Sequence, residues 1–473
     1  MPKLTGFPSV PIPGPPPIPL LGHLPRVFQF LDDPIAAVTA LRRYGDVVAV
    51  ARGNPALVCV FGAERNREVL ANPAGFQHDE EFMNGPKGSS LARMNKVLVG
   101  INGELHKRHR RLMAPAFARS ALDGYADEMV QASERMIARW PIGEVADLDA
   151  LLRDLALCVA VRSLFGMDVL HGATELGELS AGLFDALTSP LAIFAPYDLP
   201  GTPFRRAMRL GDRLLDRLGE LVAEKRRRPE SEDDALALLI RAVDDDGTGF
   251  TDAELVSETV ALFVAGHETT AKTLSWTMFL LERHPQVLAD VLDEIDGVLG
   301  GRSMTAADIA RMPLLDRVIK ESMRVLAPVP LLFLRVPASD MPLGRFTLPK
   351  GANVVVSPYA MHHDPELYPE SRRFRPERWE TLKPTPFEYL PFGAGPRLCV
   401  GAAFAQQTLR LILPTVLQRV RVAVTRDANI ARITRGNILR PRHGIRAQLQ
   451  APHRRRLVPE PVRGDVHEMV ELR

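Results

Sequence analysis

One long apolar stretch restricts the fold of this chain more than any other feature. Residues 252–285 read DAELVSETVALFVAGHETTAKTLSWTMFLLERHP, a run of 34 residues, whereas an average helix has about 12. Apolar side chains occupy most of the helical circumference instead of a single stripe, which predicts a helix buried on nearly all sides. We therefore expect this helix to cross the interior of a large, mainly helical molecule.

The remaining sequence predicts further helices and a few short strands. Amphipathic helical patterns dominate residues 115–300, and a late helix is expected over residues 401–420. Alternating residues 46–62, broken at Gly53, predict a hairpin, and strand-like pieces occur at residues 330–340 and 351–361. The predicted fold is mainly α with small β-sheets, in one domain over residues 1–473. A proline-rich segment, residues 1–25, opens it, and residues 451–473 form a C-terminal tail.

Charge and cysteine content exclude several classes of protein. The net charge of +2 is too small to indicate a nucleic-acid binder. The chain has only three cysteines, far apart, so a disulfide framework is not expected. No stretch has the apolar h-region of a secretory signal or the roughly 18 apolar residues of a membrane span. We expect a cytoplasmic monomer without a transmembrane anchor.

Cys399 lies in a cramped loop, FGAGPRLCVG, at residues 392–401. The start of a helix favours a thiolate, and glycines such as Gly393 let the backbone approach a flat cofactor. Arg397 could pair with an anionic group beside a metal. Zinc sites need about four ligands, and no second cysteine or histidine is spaced for one. A single axial thiolate suits haem iron.

The loop resembles the haem-binding signature of cytochromes P450, Phe-x-x-Gly-x-Arg-x-Cys-x-Gly. The fixed positions are filled by Phe392, Gly395, Arg397, Cys399 and Gly401. The resemblance identifies Cys399 as the axial ligand of haem b (iron protoporphyrin IX). It also implies the fold of that family, in which a long central helix lies over the haem and its cysteine-ligand loop.

The apolar run resembles the oxygen-activating segment of the same family, Ala/Gly-Gly-x-Asp/Glu-Thr-Thr. It matches at Ala265, Gly266, Glu268, Thr269 and Thr270. An acid and a hydroxyl in mid-helix could relay protons to iron-bound O2, and the threonine could distort the helix locally. Glu268 and Thr269 are therefore the predicted catalytic residues, although the same letters could belong to an ordinary core helix.

Other family motifs follow in the expected order. Glu321 and Arg324 in KESMR, with Arg378 in FRPERW, resemble a network that holds the cysteine loop, a structural role. His106 and Arg110 replace the Trp-x-x-x-Arg of many members, and Arg335 matches a strand arginine. By resemblance, these last three bind the haem propionates, and Phe392, Gly393 and Arg397 also contact the cofactor.

The resemblance implies a soluble bacterial monooxygenase that hydroxylates or epoxidises a lipophilic small molecule, such as a fatty acid, terpenoid, steroid or polyketide. It uses O2, and NAD(P)H supplies electrons indirectly through a separate ferredoxin or flavodoxin and its reductase. The basic run HKRHRR, residues 106–111, is the expected docking site for that acidic partner, or else a solvated basic face. Five positions are expected to line the substrate pocket: Phe263, Ala265, Val329, Phe333 and Ile438.

Two other functions stay open at this point. A haem-thiolate isomerase or peroxygenase would share the cysteine loop, but such relatives typically lack the acid–threonine pair. A non-catalytic haem-binding protein would not need an oxygen-activating helix at all. NADPH consumption with surrogate electron donors would separate the catalytic from the non-catalytic alternative.

Overall fold

The structure, a computed structural model, describes residues 6–19, 21–80, 85–167, 173–189, 191–192, 195–227, 234–453 and 458–472. Within these residues helices predominate, as the sequence predicts. The α-helices are α1 Leu24–Asp32, α2 Pro34–Leu41, α3 Ala63–Leu70, α4 Ser90–Met94, α5 Gly103–Met113, α6 Arg119–Ile137, α7 Leu148–Phe165, α8 Ala173–Leu187, α9 Pro203–Arg226, α10 Ala235–Arg241, α11 Asp252–Arg283, α12 Pro285–Leu299, α13 Pro313–Val325, α14 Pro358–His362 and α15 Ala402–Arg419.

The predicted central helix is α11, which extends over 32 residues without interruption. Its start is fixed by a capping box, in which the Thr251 hydroxyl accepts the Glu254 N–H and the Glu254 carboxylate accepts the Thr251 N–H. Residues 270–283 are all buried, and the helix as a whole packs mainly against α7, α9 and α13. The Thr269 hydroxyl donates to the Ala265 carbonyl, which is the competing bond expected there, and α11 continues through this position.

Four small sheets complete the fold of the described residues. Their strands are β1 Val47–Ala51, β2 Asn54–Val60, β3 Phe76–His78, β4 Val145–Asp147, β5 Arg335–Pro337, β6 Met341–Leu343, β7 Phe346–Leu348, β8 Asn353–Val356, β9 Arg421–Val424, β10 Arg432–Arg435, β11 Ile438–Pro441 and β12 Arg446–Gln450. The largest sheet has the order β1-β2-β8-β5-β3. It contains the predicted β1–β2 hairpin and one parallel pair, β2 with β8.

The described part of the proline-rich N-terminal segment lies along the free edge of β1. The Ala49 N–H donates to the Pro13 carbonyl at 2.8 Å and the Arg52 N–H to the Pro15 carbonyl at 2.9 Å. Ile12 is buried beneath this edge. Since proline has no N–H to offer a further strand, the segment closes the sheet on this side.

The described part of the C-terminal tail, residues 458–472, folds back onto the body of the molecule. Val466, Met469 and Val470 are buried in the core. The Glu471 N–H donates to the Arg372 carbonyl at 2.8 Å, and a His363 ring nitrogen lies 3.2 Å from the Met469 carbonyl oxygen. The tail thus braces the segment around residue 372. None of the described helices is long and apolar enough to span a membrane.

Candidate active site

The Cys399 loop is a tight turn that leads into α15. The Cys399 N–H donates to the Phe392 carbonyl at 3.0 Å, which closes the loop on itself. Gly393 and Gly395 have φ values of 71° and 70°, a left-handed conformation that favours glycine. A Cβ atom on Gly395 would lie 2.3 Å from the Leu70 carbonyl oxygen, so no other residue fits there. Gly401, in contrast, has a φ of −86°, which residues other than glycine also adopt.

The Cys399 thiol is accessible to solvent although protein surrounds it. Burial raises its pKa, and this outweighs the opposing effects of the Gly401 N–H and the Arg110 charge. The loop alone therefore favours the thiol, not the thiolate expected from the helix start. A bound metal cation would reverse that preference, since a coordinating thiol loses its proton.

Asn102, the residue before α5, connects the cysteine loop to the end of β3. Its side-chain oxygen accepts from Arg397 Nη2 at 2.7 Å and from the His78 N–H at 3.1 Å, and its Nδ2 donates to the His78 carbonyl at 3.0 Å. Arg397 Nη1 also donates to the Ile101 carbonyl at 2.8 Å. These bonds fix both Arg397 and the end of β3.

Five basic side chains cluster around this junction, each close enough to act electrostatically on another. Burial and then the charge of Arg397 lower the pKa of Arg335 to about 9, and burial and Arg110 lower the pKa of Arg397 to about 10. Burial, followed by neighbouring cations, lowers the pKa of His106 to about 4 and that of His78 to about 2. Sequence analysis missed His78, a lone histidine at the end of a short strand.

This cluster fits an anionic ligand. Arg335 Nη1 is buried without a hydrogen-bond partner, and in the described part of the chain the arginines Arg110, Arg335 and Arg397 form no salt bridge. Leaving a buried cation unpaired is unfavourable unless an anion joins it. The carboxylates of a haem b beside Cys399 would supply that charge. The residues present are therefore compatible with the cofactor that the sequence predicts.

The predicted network of Glu321, Arg324 and Arg378 is formed and buried. The Glu321 carboxylate is fully buried and accepts five hydrogen bonds, two from Arg324, one each from the Arg378 and Trp379 side chains, and one from the Arg375 N–H. Arg324 also donates to the carbonyls of His362, Ser371 and Arg373. The network thereby fixes the segment of residues 371–379, which precedes the cysteine loop.

The middle of α11 is open on one face, directly before the buried residues 270–283. Ala265 is exposed and Thr269, one turn later on the same face, is partly exposed. Thr269 Oγ1 donates to the Ala265 carbonyl at 2.8 Å. Glu268 Oε1 lies 3.5 Å from Lys272 Nζ, an ion pair that sequence analysis missed.

The five predicted pocket residues differ in their surroundings. Ala265 and Phe333 are exposed and Val329 is partly exposed, as pocket-lining residues would be. Phe263 is fully buried, with its ring 6.0 Å from that of Phe165 and 5.0 Å from that of His267, and Ile438 is buried in β11. These last two side chains pack in the interior.

The basic run at residues 106–111 does not form one continuous surface, because helix α5 turns its members in different directions. Lys107 and Arg111 are exposed. Arg108 Nε instead lies 3.1 Å from Asp244, and buried His109 bonds Glu258 at 2.7 Å. Arg110 Nη1 donates to the Leu398 carbonyl at 2.7 Å. Arg110 thus contacts the cysteine loop, while Arg111 and Lys107 stay on the surface, where Lys107 forms an ion pair with Glu104 at 2.7 Å.

Comparison with known proteins gives matches that extend along almost the whole chain. The sequence model named Cytochrome P450 matches residues 12–449. Pentalenene oxygenase of Streptomyces avermitilis is 31% identical over 442 residues, which cover 92% of this chain and 96% of that protein. Cyclooctat-9-en-7-ol 5-monooxygenase of Streptomyces melanosporofaciens is 33% identical over 414 residues, which cover 86% and 88%.

Two solved structures share the fold. A cyanobacterial structure with bound retinoic acid has a TM-score of 0.81 and 27% identity, covering 94% of this chain and 100% of that one. The cytochrome P450DA heme domain has a TM-score of 0.82 and 23% identity, covering 96% and 100%.

Proposed function

Because this chain belongs to the cytochrome P450 family and is a monooxygenase of that family, we propose that its substrate is a terpenoid, which it hydroxylates or epoxidises. The observation that carries this choice is that two relatives, 31% and 33% identical to this chain, have names that refer to pentalenene and to cyclooctat-9-en-7-ol. The relative with retinoic acid bound agrees with it. Fatty acids, steroids and polyketides are thereby less favoured.

We propose that Cys399 is the haem ligand and that the basic cluster binds the haem carboxylates. Support comes from the accessible thiol and from the unpartnered Arg335 Nη1 beside Arg397. Thiolate-ligated haem b supplies the electron-rich iron at which O2 is activated. The protein would hold the group between the cysteine loop and α11, with Arg335, Arg397, Arg110, His106 and His78 around its carboxylates.

The acid–hydroxyl pair on α11 is the proposed proton path. The Thr269 hydroxyl lies on the open face of the helix and can both accept and donate a hydrogen. The Glu268 carboxylate is the adjacent proton carrier, with a side chain still 17% exposed and hence in contact with water. Such a pair distinguishes a monooxygenase from a haem-thiolate isomerase, which would have no protons to deliver to oxygen.

Electrons are proposed to come from NAD(P)H through a ferredoxin or flavodoxin with its reductase. Lys107 and Arg111 are exposed on α5, whose Arg110 contacts the cysteine loop. An acidic carrier would be attracted to this surface, and its association would weaken as salt is added. K107E/R111E should therefore slow reduction while leaving the spectrum unchanged.

The first experiment is a titration of purified haem-loaded protein with pentalenene and, separately, with palmitate. A terpenoid oxygenase should show a shift of the haem Soret band with pentalenene, and should convert it to an oxygenated product when NADPH and a surrogate ferredoxin with its reductase are added. Binding and oxidation of palmitate alone would contradict the terpenoid assignment. The control is C399S, in which the reduced, carbon monoxide-treated protein should lose the red-shifted thiolate band.

A further inference from the structure

Next to the proposed proton path lies a buried ion pair between Lys272 and Asp149. Lys272 Nζ is 2.9 Å from Asp149 Oδ1 and 2.7 Å from Asp149 Oδ2. Lys272 is 1% exposed and Asp149 is 7% exposed. Lys272 belongs to α11, one turn after Glu268, and Asp149 to the first turn of α7. The two helices that carry these charges pack against each other.

The two carboxylates near Lys272 are held very differently. Asp149 binds the ammonium through both of its oxygens, whereas Glu268 reaches it with one oxygen at 3.5 Å, longer than a hydrogen bond. A buried ammonium needs a counter-charge, since burial otherwise disfavours its charged form. Asp149 meets that need, so Glu268 can leave Lys272 without exposing an unpaired buried cation.

We propose that Asp149 is a positioning residue that leaves Glu268 free to move beside Thr269, because it takes the place of Glu268 as the counter-ion of Lys272. The ammonium attracts the Glu268 carboxylate along the helix, and Asp149 limits that attraction by occupying the ammonium first. Without Asp149, Glu268 becomes the counter-ion of Lys272 and is held there. Without Lys272, there is no ammonium to attract Glu268, so Glu268 is not held there and Asp149 has no attraction to limit. This inference rests on the proposed function, in which Glu268 carries protons.

The two single substitutions are expected to act in opposite directions. In D149N, the distance from Lys272 Nζ to Glu268 should shorten from 3.5 Å to hydrogen-bond range, about 3 Å, and turnover should fall several-fold. K272Q releases Glu268, so turnover should stay within about twofold of wild type. D149N/K272Q should match K272Q, because Asp149 acts only through Lys272.

The test uses full-length haem-loaded protein with two readouts. Crystal structures of wild type and D149N give the distance between Lys272 and Glu268. NADPH oxidation with pentalenene, a surrogate ferredoxin and its reductase gives the turnover and its ratio in H2O and D2O, and D149N should raise that ratio because proton delivery becomes slower. E268Q is measured alongside and should be at least as slow as D149N.

A matched control is the buried pair Lys225 and Asp234, which lies outside the proposed proton path. D234N removes the same kind of counter-ion and should alter neither the Lys272–Glu268 distance nor the isotope ratio. If D234N slows turnover as much as D149N does, general destabilisation explains both and the inference is wrong.

The outcomes separate the inference from the proposed function. If E268Q turns over like wild type, the proton-carrying role of Glu268 fails, and the positioning role falls with it. If E268Q is slow but D149N keeps the wild-type Lys272–Glu268 distance and turnover, the inference is wrong and the proposed function stands. Should D149N fail to bind haem, the turnover of D149N/K272Q relative to that of K272Q still tests the inference. A difference above about threefold would show that Asp149 acts independently of Lys272.

Discussion

Replacement of Glu321 by glutamine should remove a large part of the stability of the fold. The carboxylate accepts five hydrogen bonds and is the only acid in contact with the buried guanidinium groups of Arg324 and Arg378 among the described residues. Glutamine keeps one acceptor oxygen and turns an NH2 group toward donors that have lost their acceptor. It also leaves both arginines without a counter-charge.

The magnitude follows from the bonds that glutamine cannot make. The oxygen with fewer partners, Oε2, accepts from Arg324 Nε and Trp379 Nε1, both at 2.9 Å, so at least two bonds are lost. Each such bond to a charged group contributes about 1.5–3 kcal/mol, and breaking a buried ion pair costs about 3–5 kcal/mol. These figures describe the same loss, so E321Q should lower the free energy of unfolding by about 3–5 kcal/mol.

A surface pair with the same spacing supplies the control. Arg217 and Glu220 are three residues apart in α9 and 2.8 Å from each other, but their side chains are 45% and 68% exposed. E220Q should change the free energy of unfolding by less than about 0.5 kcal/mol. Urea unfolding of wild type, E321Q and E220Q, followed by circular dichroism, compares them directly. Equal midpoints for E321Q and E220Q would refute the reasoning.

Three further predictions concern single residues. T269A should keep haem but divert most of the consumed NADPH to peroxide, measured as peroxide per NADPH, whereas T277A, which removes the same kind of hydroxyl bond two turns later, should not. R335L should weaken haem retention yet raise the melting temperature of the haem-free protein, because it removes a buried, unpaired cation; a lower melting temperature would contradict this. Burial, followed by the charge of Arg324, lowers the pKa of His362 well below its usual range, and its Nε2 accepts the Leu390 N–H at 2.8 Å, as a neutral ring can. Acid therefore favours the unfolded chain, and stability falls below pH 6.5 by about 1.4 kcal/mol per pH unit. Urea midpoints at pH 7.5 and 5.5 should lie closer together in H362Q than in wild type, and an unchanged gap would disprove it.

The sequence predicted those features that depend on neighbours along the chain. The central helix was expected over residues 252–285 and is found at Asp252–Arg283, because its apolar pattern and capping residues are local. The β1–β2 hairpin was likewise predicted from alternation and a glycine. Glu321 and Arg324 share one helix face by their spacing alone.

Features that depend on packing could not be predicted in the same way. Lys272 and Asp149 are 123 residues apart, and only the contact of α11 with α7 makes them partners. His78 joins the basic cluster because β3 pairs with β5, which places it opposite Arg335. The basic run at residues 106–111 appeared continuous in sequence, but the helix turns Arg108 and His109 inward.

The parallel pairing of β2 with β8 affects how the chain folds during synthesis. Val58 pairs with Val354, so the β2 edge of the hairpin has no partner strand until almost 300 further residues have been synthesised. This takes about 15–60 s at typical rates of translation. Proline-rich residues 10–15 precede the hairpin and can cover its other side, along β1, as soon as it forms. Only one apolar strand edge then remains open to aggregation on the ribosome.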